Sequence, residues 1–354
     1  MALKKRNILY LILALIAVSS VVGFGYTLLK PKPVRPLASW TKNLPRLGTL
    51  SSPRLANLNG DGILDIVMGA GGVEFSPSDS AIIALDGVTG QLLWSAPARD
   101  QIFGSPLFRD LTGDGIEDLL VATGGYVKAP PGDPNRPAGK LLVVSSASGK
   151  LLASADMPDG KETYMSVLVA DFRSDGNLSV VFGTGGETLG GSLYRVPLAH
   201  LLQNDLSQAT LLEPGHDKGF VAPPVLADIT QDGVPDIIAN SVNGRMVAID
   251  GATEEVLWRV AVPGTEAYCS IAVGYFTDDD VPDFFTNFGI GIWPDLNQSI
   301  QLMVNGKTGR TEWEKRLGSF QESTPLAFDF NGDGFDDACS ASTTASTASA
   351  TNLW

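Results

Sequence analysis

The chain has 354 residues, 44% of them hydrophobic and 18% charged, with 39 Gly, 22 Pro and a formal net charge of −14. That length holds one large β architecture or two smaller domains. Beyond residue 35 there are 19 basic against 39 acidic residues, and a surface so acidic repels phosphate backbones, which argues against nucleic acid as a partner.

The N-terminal stretch divides into a basic stub (1–7), an uncharged run from Ile8 to Leu29, and a short linker (30–37). A run of 22 uncharged residues is long enough to cross a bilayer core of about 30 Å as a helix. Lys4, Lys5 and Arg6 place its N-terminus in the cytoplasm, blunted by Lys30, Lys32 and Arg35 on the far side. The rival is a cleaved signal peptide whose apolar core ends near Ala17. Hydrophobicity continues beyond that point, which favours a membrane anchor. Either way the body is expected outside the cytoplasm.

From residue 38 onward the chain repeats itself. "NLNGDGILD" begins at Asn57, "DLTGDGIED" at Asp110, "DITQDGVPD" at Asp228 and "DFNGDGFDD" at Asp329; weaker copies, "DFRSDGNLS" and "YFTDDDVPD", begin at 171 and 275. The steps of 53, 61, 57, 47 and 54 residues are the size of repeated supersecondary units, among them propeller blades. Each loop is followed by a short apolar strand ending in glycine or a polar turn, such as "ILDIVMGAGG" and "IEDLLVATGG".

A second motif alternates with the first. "ALDGVTGQLLW", "AIDGATEEVLW" and "MVNGKTGRTEW" end at Trp94, Trp258 and Trp313, and "VVSSASGKLLA" puts Ala153 in the tryptophan's place. Each reads as a β-hairpin carrying an aromatic that packs between sheets. The third unit instead carries "PLAHLLQNDL" (197–206), with one or two helical turns expected. Trp40 stands before the first loop as the other tryptophans do before theirs, so its segment reads as an outer strand. The sequence therefore predicts an all-β fold, a β-propeller of about six to seven four-stranded blades over residues 38–338. The last blade is incomplete, because "CSASTTASTASATNLW" (339–354) reads as a low-complexity tail.

The loops carry the one chemistry the sequence repeats. Oxygen-bearing side chains at positions 1, 3, 5 and 9, with a turn-permitting glycine at 6, suit a hard cation such as calcium. The candidate ligands are Asn57, Asn59, Asp61 and Asp65; Asp110, Thr112, Asp114 and Asp118; Asp228, Thr230, Asp232 and Asp236; and Asp329, Asn331, Asp333 and Asp337. That makes about four structural calcium (Ca2+) sites. Arg173 and Ser179 oppose a cation in the 171 loop, and Tyr275 and Asp280 leave the 275 loop doubtful. Plain Asx turns are the alternative throughout. Hard oxygens without His or Cys exclude zinc as the intended ion. The two cysteines, Cys269 and Cys339, read as small buried hydrophobes, pairing being left open.

The loop pattern resembles the FG-GAP or VCBS-type repeats of integrin-α-like propellers, and the tryptophan hairpins resemble quinoprotein-type repeats. The resemblance spans roughly residues 38–337 and implies that the calcium ions are structural. It implies no activity. With only His200 and His216 available, a nucleophile–histidine arrangement is nearly out of reach, and the acidic clusters belong to the loops. The expected function is an exported, membrane-anchored binding or adhesion scaffold, with no catalytic or cofactor-binding residues and with a protein or carbohydrate ligand on one loop face. That face is marked by the long loops after the apolar strands, by Tyr126 and by Trp293. A polysaccharide lyase-like enzyme and an envelope assembly factor are the alternatives.

Overall fold

The computed structural model describes residues 39–73, 76–124, 133, 136–321, 323–341 and 351–353. The basic stub, the apolar run 8–29, the linker and Tyr126 lie outside the described residues. Among those described, no helix is long and apolar enough to cross a membrane.

From Lys42 onward the chain folds into one compact unit of six antiparallel sheets. The first takes β1 (Arg54–Ala56), β2 (Asp65–Gly69), β3 (Ser78–Leu85) and β4 (Leu92–Ala98) in chain order. The second repeats the meander with β5 (Leu107–Arg109), β6 (Asp118–Thr123), β7 (Lys140–Ser145) and β8 (Leu151–Asp156). The third consists of β9 (Leu168–Ala170), β10 (Ser179–Gly183), β11 (Leu193–Pro197) and β12 (Thr210–Glu213), with α1 (Leu198–Leu202) in place of a tight turn. The fourth holds β13 (Val225–Ala227), β14 (Asp236–Ser241), β15 (Arg245–Ile249) and β16 (Val256–Ala261).

In the fifth, β17 (Thr265–Glu266) and β18 (Ala272–Gly274) both pair β19 (Asp283–Ile290), followed by β20 (Gln298–Val304) and β21 (Thr311–Leu317). The sixth has three strands, β22 (Leu326–Phe328), β23 (Asp337–Ala341) and β24 (Thr351–Leu353). This is the β-propeller layout, six blades among the described residues. One expectation shifts. Residues 339–341 and 351–353, assigned by composition to a tail, are paired strands here, because backbone pairing tolerates Ser, Thr and Ala where packing would not specify them.

Each blade packs face to face on the next. Val67 and Ile82 of the first share a buried cluster with Leu119 and Leu142 of the second. Leu120 and Val143 pack with Val180 and Phe182, Val181 with Ile237 and Val247, and Ile238 and Met246 with Phe284 and Ile300. The middle strands are buried on both faces, which is why they read as continuous Val/Ile/Leu/Phe runs. Near the short innermost strands, hydroxyls join neighbouring blades. The Ser52 N–H donates to Ser105 Oγ (3.0 Å), the Ser105 N–H to Ser166 Oγ (2.7 Å), and the Ser270 N–H to Thr324 Oγ1 (3.3 Å). Leu326 and Phe328 of the last blade remain 65% and 61% exposed, in keeping with its smaller share of covered surface.

Candidate functional site

The antiparallel meander puts two kinds of turn at one end of the first, second, fourth and fifth blades; α1 replaces the second kind in the third blade, and the three-stranded sixth has only the first. The oxygen-rich loop joins the first strand to the second, and the hairpin turn joins the third to the fourth. The other end carries the loops between second and third strands together with the connections from blade to blade.

In the 110 loop, Asp110 Oδ1 accepts from the N–H groups of Gly113 (2.7 Å) and Asp114 (3.2 Å), and Oδ2 from Gly115 (3.0 Å). Asp114 Oδ1 accepts from the Ile116 N–H at 2.9 Å. The 228 and 329 loops repeat this. Asp228 takes the Asp232 and Gly233 N–H groups, and Asp329 those of Gly332, Asp333 and Gly334. Asp232 and Asp333 each accept the N–H two residues on. In the 57 loop Asn57 accepts from Gly60, Asn59 from Asp61, and Asp61 from Ile63. Thr230 and Asn331 sit at the third positions, Thr230 3.5 Å from Asp228 Oδ1 and Asn331 accepting the Asp333 N–H. The glycine at position 6, Gly115 at φ 85° and Gly233 at φ 85°, supplies the left-handed backbone that bends the turn.

The ninth-position carboxylates lie apart from these. Asp65, Asp118 and Asp236 are buried, and Asp337 is half-buried. Asp118 Oδ2 accepts from the N–H groups of Leu111 and Thr112 and from Thr112 Oγ1. Asp65, Asp236 and Asp337 accept likewise from Leu58 and Asn59, from Ile229 and Thr230, and from Phe330. Burial pushes the Asp236 carboxyl above its ordinary value, opposed by the N–H donors of Gly251, Thr230 and Ile229.

The donor chemistry of positions 1, 3 and 5 is that of a hard cation site. Yet among the described residues no three His, Cys, Asp or Glu side chains come together as a metal-holding group. As folded, the ninth carboxylates accept from the backbone of their own loops. The 171 loop, with Arg173 at position 3 and Ser179 at position 9, forms the same net of first-position bonds, Asp171 accepting from Arg173, Asp175 and Gly176.

Two tryptophans do what the hairpin motif implied. Trp94 Nε1 donates to Ser146 O of the next blade's hairpin turn at 2.8 Å, and Trp258 Nε1 to Gly306 O at 2.7 Å. Each indole lies on the glycine of the turn it grips. A Cβ on Gly149 would come 2.7 Å from Trp94, and one on Gly309 2.6 Å from Trp258. Between the third and fourth blades there is no tryptophan, and sequence reasoning missed the substitute. Arg195 of β11 donates to Gly251 O at 2.8 Å, pairs with Glu254 at 3.0 Å and lies 4.7 Å over the Phe172 ring. Glu254 stands where the other turns have glycine, and that exchange was the available signal.

At the opposite end, Glu266 is buried and holds three groups. It pairs with Lys218, accepts from Tyr268 Oη, and accepts from the Trp293 N–H at 3.1 Å. Tyr268 meets Phe320 edge-on at 6.1 Å. The loop so fastened carries Ile292 and Trp293, 66% and 51% exposed. Glu162 takes the corresponding place between the second and third blades, paired with Arg136 at 2.5 Å.

The chain is a β-propeller whose hairpins bear interblade tryptophans. No protein-family model matches it, and no curated protein does. Among solved structures it is similar to BamB from Moraxella catarrhalis (14% identity, 78% of this chain and 67% of that one, TM-score 0.44). It is also similar to a europium-containing methanol dehydrogenase (12%, 81% and 72%, TM-score 0.46) and to the Dos1 propeller (16%, 83% and 68%, TM-score 0.49).

Proposed function

We propose that the chain is a scaffold that binds a protein partner through the face carrying the 291–297 loop. The observation behind this reading is the Ile292–Trp293 tip, two large apolar side chains held out to solvent by a loop whose backbone is fastened to a buried carboxylate. A hydrophobic tip on a braced loop loses little entropy on docking, and tryptophan leads among residues that dominate interface energy. The acidic surface favours a partner with a basic rim around its apolar pocket. The uncharged run 8–29 supports a body held at the outer side of a membrane, where such a partner would be found.

Photo-crosslinking from residue 292 tests this reading, with a second probe at Leu257 on β16 as the control. The reading expects a discrete protein adduct from 292 in extracts of the source cells and none from 257. Equal, diffuse labelling from both positions would count against it.

A further inference from the structure

Four observations bear on the ninth-position aspartates. First, in three blades the second carboxylate oxygen reaches the hairpin turn of the same blade. The Gly87 N–H donates to Asp65 Oδ1 at 2.9 Å, the Gly251 N–H to Asp236 Oδ1 at 2.9 Å, and the Gly306 N–H to Asp283 Oδ1 at 3.1 Å. Those glycines stand so close to the loop that a Cβ would meet the carbonyls of Leu64, Pro235 and Pro282 within 1.9 Å. Second, these three aspartates are fully buried, with 0% exposure.

Third, the 275 loop has lost what a cation needs and kept this arrangement. Its first position is Tyr275 and its sixth is Asp280, not glycine. Still Asp283 Oδ2 accepts from the N–H groups of Phe276 and Thr277 and from Thr277 Oγ1. Fourth, the blade with Ser179 at position 9 has no hairpin turn to hold, because α1 occupies its place. Loss of the carboxylate and loss of the turn occur in the same blade.

We infer that in these three blades the ninth-position aspartate is a clamp between the two turns of its own blade and is spent on that task, not on a cation. A carboxylate suits it because both oxygens only accept, and every group facing them is an N–H or O–H. Asparagine would turn an NH2 toward one of those donors and leave a buried polar group without a partner. The clamp sets the height of the hairpin turn in these blades, and two of the three turns are what Arg195 and Trp258 grip from the preceding blade. The clamps thereby extend blade geometry into blade-to-blade coupling.

Asp283→Asn in the full chain separates the clamp from a ligand, since the 275 loop has no first-position carboxylate for a cation to share. The clamp predicts a thermal midpoint lowered by on the order of 5 °C, the same in EDTA as in calcium. Asp236→Asn should fall equally in both, and Asp278→Asn, an exposed neighbour, should melt with the wild type. Failure of Asp283→Asn to fold, with Asp278→Asn intact, supports the clamp as well. A wild-type melt for Asp283→Asn, or a loss in Asp236→Asn confined to calcium-containing buffer, would overturn it.

Discussion

Asp171 shows at single-residue scale what the first position of each loop contributes. Backbone N–H donation from Gly176, and then from Arg173 and Asp175, holds its carboxyl below the ordinary value of 3.8. A carboxyl lowered on folding adds stability that is present above its unfolded value and lost as pH falls through its folded value. The wild type should therefore lose part of its stability below about pH 3.8, and Asp171→Asn should lose less over that window. Acid titration of the melting midpoint checks this; parallel curves would remove the charged turn from the account. Arg195 makes the second prediction at this scale. Its guanidinium satisfies a carbonyl, a carboxylate and a ring at once, which a flexible apolar chain cannot do. Arg195→Met should destabilise by about 2 kcal/mol through the unpaired Gly251 carbonyl and Glu254 carboxylate, read by urea unfolding.

At the scale of elements, the hairpin and its tryptophan form one device shared between blades. Trp258 contributes ring packing against Phe284 at 5.9 Å as well as its N–H bond. Trp258→Ala should cost about 3 kcal/mol, while Trp258→Phe should recover the packing part and not the hydrogen bond. A urea series that ranks the two variants equally would show that the bond adds nothing.

This scale is also where the sequence was most legible. The spacing of "DGVTG", "DGATE" and "NGKTG" to their tryptophans follows from backbone geometry that repeats, so these three hairpins could be placed. The exceptions were legible as exceptions, Ala153 and "PLAHLLQNDL", but their compensation was not. Arg195 comes from a third strand, not the fourth that carries the tryptophans, and no periodic search leads there. The ninth aspartates illustrate the converse. Their spacing matched a cation loop, yet spacing along a chain does not tell which way a carboxylate turns. Burial decided it, because beneath the loop wait backbone donors that must be satisfied.

At the scale of the whole unit, apolar faces between blades supply most of the stabilising area, and the hydroxyl bonds near the innermost strands fix register at little cost. The recurring Ser or Thr at those positions, as in "SSPRL", "GSPLF" and "STPLA", was visible in the sequence but lost among ordinary turn residues. Such a frame is rigid enough to hold a loop tip in place, and loop tips on a rigid scaffold are free to vary. The interaction face is thus a property of the assembled unit, with Glu266 of the fifth blade drawing on Lys218, which precedes the fourth.

The scaffold reading is tested most directly by the affinity of the partner that residue 292 crosslinks, measured for wild type, Trp293→Ala and Ile292→Ser. The account predicts at least a tenfold loss for each variant, about 1.4 kcal/mol or more, with melting midpoints unchanged. Wild-type affinity in both variants would contradict it.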